Sequence, residues 1–127
     1  MILKYNDLPV EIKSNLKEIE NLLVTQDSEL LKSYMVGDGF SVDLTSLKSI
    51  AGAWGENIKP TSRITPRPEE TLSDVYVVRA TDPNPETIFI DYVLWIDGKR
   101  SDLTLKITFT KSSENTWKAL IEDLHVE

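Results

Sequence analysis

The residues of this 127-residue chain best placed for chemistry gather around one dipeptide, Asp97-Gly98. An Asp-Gly pair between two alternating apolar runs marks a two-residue β-hairpin. With Ile96 facing Lys99, an unbroken register puts Tyr92 opposite Leu103, Ile90 opposite Leu105 and Ile88 opposite Ile107. These apolar residues fall on one face, as a buried hairpin requires. The reverse face then carries Phe89, Asp91, Val93 and Trp95 opposite Lys106, Thr104, Asp102 and Arg100. Aromatic, guanidinium and carboxylate groups mixed in this way have the composition of protein-interface anchors. Trp95 beside Arg100 suits a cation–π contact. Phe89, Asp91, Trp95, Arg100 and Asp102 are therefore the candidate partner-binding residues. The competing expectation is that another element, such as the proline-rich crossing, covers them. Asp91 and Asp102, diagonal neighbours in this register, would need a pocket that drives their pKa values apart to serve as acid and base. An open sheet face offers no such asymmetry.

Little else in the chain offers catalytic or metal chemistry. His125 is the single histidine, which removes multi-histidine metal sites and leaves no ready triad. Asp123 shares its strand face only if no extra residue intervenes. There is no cysteine, so disulfides and thiol catalysis are excluded, and a reducing cytoplasm is the expected compartment. Gly37-Asp38-Gly39 is too short for a nucleotide fingerprint and follows a helical pattern, so it reads as a helix stop. No catalytic set, cofactor or metal site is expected.

The elements that must position these residues divide the chain in two. Leu8, Ile12, Leu16, Ile19, Leu22 and Leu23 recur at helical spacing, with Asp7 expected to cap the start and Pro9 to lie in the first turn. A short helix is expected from Asp27 or Ser28, and a third from about Asp43 to Gly55. These make a helical layer over residues 1–58. Residues 59–71, with prolines at 60, 66 and 68, read as a crossing and exclude a helix or central strand. Lys59, Arg63 and Arg67 make it the one locally basic segment. Residues 72–127 read as an antiparallel sheet with strands at 72–80, 87–96, 101–110 and 116–126, and a turn at Asp82-Pro83-Asn84-Pro85. The last strand changes phase between Ile121 and Leu124, which predicts a β-bulge at Glu122-Asp123. The expected class is one α+β domain with about three N-terminal helices on a curved four-stranded meander.

Composition narrows the partners. The formal charge is −7, with nine acids against six bases in residues 1–60 and twelve against eight in 61–127. Phosphate neutralisation needs the opposite sign, so nucleic acid is not expected, and anionic lipid is repelled. A basic protein is attracted. The longest apolar stretch, within residues 88–96, is interrupted by Asp91 and falls far short of a membrane span. No secretory signal is visible at the N-terminus.

The segments Gly98-Lys-Arg-Ser-Asp-Leu-Thr-Leu105 and Glu122-Asp-Leu-His-Val126 resemble a family of small, functionally uncharacterised bacterial domains, over roughly residue 20 to the end. The element order also resembles the cystatin-like and SnoaL-like rolls. These resemblances imply a bacterial origin and a roll fold, but no activity. Small size, acidity and the absent catalytic set point to a non-catalytic protein-binding module, in its sharpest form an immunity protein that neutralises a basic toxin. The alternatives are a small-molecule binder or simple lyase or isomerase, with Tyr34, Trp54, Tyr76 and Tyr92 lining a cavity and Asp91, Tyr92 or His125 acting there, and a subunit that self-associates through the hairpin.

Overall fold

A computed structural model describes residues 2–35, 44–80 and 86–126. Gly37-Asp38-Gly39, Asp43 and the Asp82–Pro85 turn lie outside the described residues. Helices come first and the main strands follow, as the periodicity predicts. The helix α1 (Val10–Thr25) buries Ile12, Leu16, Ile19, Leu22 and Leu23, the expected stripe. Its start differs from expectation. Residues 5–7 form a separate 3-10 turn and Pro9 itself is the N-cap, so Asp7 does not cap α1. The helix ends at Gln26 in the left-handed region (φ 58°), whose N–H reaches the carbonyls of Leu22 and Leu23. Asp27 caps α2 (Ser28–Lys32) by accepting the Leu30 N–H at 3.2 Å.

α3 (Leu44–Ala51) continues into 3-10 turns over Gly52–Asn57, so Gly55 does not end the α-helix. It lies inside the tighter extension, where a Cβ would stand 2.4 Å from the Lys48 carbonyl oxygen. Glycine is required there by close backbone approach.

Among the described residues six strands form one sheet: β1 (Ile2–Leu3), β2 (Ile64–Thr65), β3 (Tyr76–Arg79), β4 (Thr87–Ile96), β5 (Lys99–Lys111) and β6 (Trp117–Val126). β3 to β6 follow one another as the expected meander. β1 adds an outer edge to β3, and β2 pairs with the far end of β4. The expected strand from residue 72 is shorter, because residues 69–74 turn as a 3-10 helix and only Tyr76–Arg79 pair. β2 sits between Pro60 and Pro66 as a two-residue edge piece, the place a proline-flanked strand can occupy.

The hairpin closes as a two-residue turn, Ile96 facing Lys99, with Asp97 at φ 54° and Gly98 at φ 73°. Both signs are those of a type I′ turn. The register does not run unbroken from there. Between Trp95↔Arg100 and Val93↔Thr104 the strand β5 holds extra residues, so Tyr92 faces Leu105, Ile90 faces Ile107 and Ile88 faces Phe109. Ser101 accounts for the irregularity: its hydroxyl donates to the Leu94 carbonyl at 2.7 Å and accepts the Leu103 N–H at 3.1 Å. The slip is two residues and side chains alternate with period two, so the faces are unchanged. Leu103, Leu105, Ile107 and Phe109 are buried with Ile88, Ile90 and Tyr92 against the helices. The β6 bulge falls at Glu122, between Lys106↔Asp123 and Ile107↔Ile121, where the phase change predicts it.

The outer edge of β6 is partly protected. Glu11 of α1 accepts the Trp117 N–H at 3.1 Å, and the Tyr34 carbonyl accepts the Ile121 N–H at 2.6 Å. These contacts blunt an edge that would otherwise template further pairing. Among the described residues no helix is long and apolar enough to cross a membrane.

Candidate functional site

The face of β3–β6 turned away from the core cluster is built of cross-strand rows. Val78, Phe89, Thr108 and Leu120 make one, and Tyr76, Asp91, Lys106 and Asp123 the next. Val93, Thr104 and His125 follow, then Thr65, Trp95 and Arg100 toward the hairpin tip. Tyr76 is 52% exposed and Phe89 is 39% exposed, neighbours in adjacent rows. Val93 is buried yet stands outside the core cluster, sheltered on this reverse face. The three helices pack on the other side.

Phe89, Asp91, Trp95 and Arg100 therefore share a face, but the arrangement around Asp102 is not the expected one. Asp91 lies opposite Lys106, and Asp102 falls inside the irregular Ser101–Leu103 stretch, so the two carboxylates are not diagonal neighbours. That removes them as an acid–base pair. Trp95 does face Arg100 in register, but the cation–ring contacts among the described residues lie elsewhere: Lys13 over Tyr5, Arg67 over Tyr92 and Lys111 over Trp117. Trp95 Nε1, Asp102 Oδ1 and Thr104 Oγ1 are buried with no hydrogen-bond partner among the described residues. Orphaned polar atoms of this kind cost about 1–3 kcal/mol each. His125 Nδ1 stands 3.8 Å from Asp123 Oδ2, because the bulge at Glu122 precedes both and leaves them on one face.

A second concave region escapes the sequence reading. The segment after β2 runs Pro66-Arg67-Pro68, and the two ring-locked φ angles aim Arg67 inward, where it is only 5% exposed. Its Nε donates to Thr71 Oγ1 at 3.0 Å, Nη2 to the Thr71 carbonyl at 2.8 Å and Nη1 to the Val93 carbonyl at 3.4 Å. The guanidinium lies 5.4 Å from the centre of the Tyr92 ring. Glu20 on α1 accepts both the Arg67 backbone N–H, at 3.2 Å, and the Tyr92 hydroxyl. A cavity of about 270 Å³ opens here among Tyr5, Leu16, Glu20, Arg67, Leu72 and Tyr92, and a groove of about 600 Å³ continues it along Lys17, Glu20 and Pro66.

Burial pushes the Tyr92 hydroxyl well above the usual tyrosine range, the bond to Glu20 adding to it while Arg67 opposes. Burial also raises Tyr5, helped by the nearby Glu20 and Glu69 charges. Of the four aromatics expected to line a cavity, Tyr92 does so, whereas Tyr76 points out of the opposite face. Tyr34 is part-buried against the core, where burial first and a bond with Glu18 second raise its hydroxyl. The signal for Glu20 is present in the sequence as an acid set into the apolar stripe, four residues after Leu16 and three before Leu23. Among the described residues no group of three His, Cys, Asp or Glu side chains could hold a metal.

A family model described as a domain of unknown function, DUF7668, matches residues 21–127. The chain belongs to this family. The match covers the last five residues of α1, then α2, α3, the crossing and β2–β6, and thus the flat face and the Arg67 and Tyr92 side of the cleft, while β1, Tyr5, Leu16 and Glu20 lie before it. No curated protein matches the chain, and no solved structure matches it.

Proposed function

We propose that this chain is a non-catalytic protein-binding module that docks a basic protein on the outward face of β3–β6. Its most concrete form is a bacterial immunity protein that neutralises a toxin by covering it. The observation that carries the reading is the exposure of Tyr76 and Phe89 on neighbouring rows of the sheet face turned away from the core cluster, at the end away from the buried Val93 and Thr104 row. Acids and bases alternate around that aromatic pair, in the row Asp91, Lys106, Asp123. β4, β5 and β6, each of ten residues or more at about 3.3 Å per residue and about 4.8 Å apart, with the four-residue β3, give a face of several hundred Å². That approaches the roughly 800 Å² per partner of a standard interface. The excess of acids, −7 overall, selects a partner of positive charge and accelerates its approach.

The cleft supports a second reading, a small-molecule binder or simple lyase or isomerase, less well. Its polar groups already bond one another: Glu20 holds Tyr92 and the Arg67 backbone, and Arg67 holds Thr71 and Val93. They brace the crossing against α1 and the sheet.

The test is affinity capture in the native host with neighbouring gene products supplied, followed by calorimetry on the purified partner. The double variant Tyr76→Ser/Phe89→Ser is expected to bind at least about 30-fold more weakly, since interface anchors are worth about 2 kcal/mol or more. Retained affinity in a folded double variant contradicts the reading.

A further inference from the structure

The basic crossing and the hairpin tip, remote in sequence, are clamped together in the fold. Asp97 N–H donates to the Arg63 carbonyl at 2.9 Å, Arg63 N–H donates to Asp97 Oδ1 at 2.9 Å, and Gly98 N–H donates to Thr65 Oγ1 at 2.9 Å. Behind the clamp, Ser62 Oγ accepts the Lys59 N–H at 2.8 Å and the Ser62 N–H donates to the Lys59 carbonyl at 2.9 Å. The clamp brings Lys59 and Arg63 beside Lys99 and Arg100. Between them lies a recess of about 380 Å³ lined by Asn57, Lys59, Ile96, Asp97, Lys99 and Arg100. Three cations and one carboxamide line it against one carboxylate. That carboxylate is already turned to the Arg63 backbone N–H. This bond first, with Ser62 and then the Lys99 and Arg63 charges adding, holds its pKa below the usual range.

We infer that this recess is a binding site for a small phosphate-bearing anion, held by Lys59, Lys99 and Arg100. A cluster of three cations around one already bonded carboxylate, in a chain of net charge −7, attracts an anion and not the basic partner. Guanidinium and ammonium groups on one small concavity match a multiply charged oxyanion, the guanidinium in a bidentate fork and the ammoniums as point charges. The site shares Arg100 with the candidate partner-binding residues but not Tyr76 or Phe89, so variants at those two aromatics distinguish it from the partner-binding proposal.

The test uses the whole chain and two probes, inorganic phosphate and phenyl phosphate, titrated by NMR against chloride at matched ionic strength. Amide shifts centred on Gly98–Arg100 with saturable binding are expected. Tighter binding of phenyl phosphate identifies an ester, and equal binding identifies free phosphate. Lys99→Gln/Arg100→Gln is expected to weaken binding about tenfold or more, and Asp97→Asn, which keeps an acceptor for Arg63, to tighten it several-fold. Shifts no different from those in chloride, or equal affinity in the double variant, overturn the site. Tyr76→Ser/Phe89→Ser should leave anion binding unchanged.

Discussion

At the scale of single residues, Tyr92 is the group whose environment departs furthest from water. Its ring takes the Arg67 guanidinium and its hydroxyl ends on Glu20, in a setting that keeps the phenol protonated. Because the folded-state pKa is raised above the unfolded value of about 10, this group contributes stability that is fully present below about pH 10 and lost as pH rises beyond it. Tyr92→Phe is expected to cost about 1–2 kcal/mol at neutral pH, since it leaves Glu20 short of a donor. Urea midpoints from pH 8 to 11 check both parts: the gap between wild type and variant should close above pH 10. Tyr5 and Tyr34 are present in both proteins and cancel in the comparison. Arg67 could not be placed from sequence, where it counts as one more base in a proline-rich connector. Only the fold shows that Pro66 and Pro68 turn it inward, because composition carries no information about direction.

At the scale of elements, faces were legible in the sequence and exact pairings were not. Alternation in β4 and β5 assigns each side chain to core or surface regardless of any two-residue slip, so Phe89, Trp95 and Arg100 share the outer face as expected. The slip itself depends on Ser101 bonding the Leu94 carbonyl, a contact no pattern of hydrophobicity encodes. It is what separates Asp91 from Asp102. The β6 bulge, by contrast, showed itself through a change of phase, since one inserted residue reverses the alternation. Helix ends were less readable: Pro9 and not Asp7 stands at the start of α1, and a glutamine holds the left-handed position at its end. Left-handed geometry costs a non-glycine residue about 1 kcal/mol, so Gln26→Gly is expected to raise stability by about 0.5 kcal/mol after the entropy of the unfolded chain is counted. Thermal melts of the two proteins decide the sign. Ser101→Ala should destabilise by about 1–2 kcal/mol, as the hydroxyl serves two buried backbone groups, and denaturant titration measures it.

At the scale of the molecule, the segment before the family match is part of the domain. β1 pairs with β3, and Ile12, Leu16 and Ile19 are buried in the core. Burial of each such side chain is worth about 1.5–3 kcal/mol, together comparable to the 5–15 kcal/mol net stability of a typical domain. A chain reduced to residues 21–127 is therefore expected to lose its cooperative unfolding transition, which circular dichroism on heating would reveal; a sharp transition near that of the whole chain would contradict the fold described. Class and element order were legible because long periodic segments dominate them. The clamp between the crossing and the hairpin tip was not, since it joins residues distant in sequence through one backbone pair and two backbone-to-side-chain hydrogen bonds. The proposed docking face is tested most directly by photo-crosslinking in the native host, with benzoylphenylalanine placed at Phe89 in one chain and at Ser14, on the helical side, in another. The account predicts one basic protein joined at position 89 and not at position 14. Crosslinks at position 14 alone, or at neither position while the chain remains folded, would contradict it.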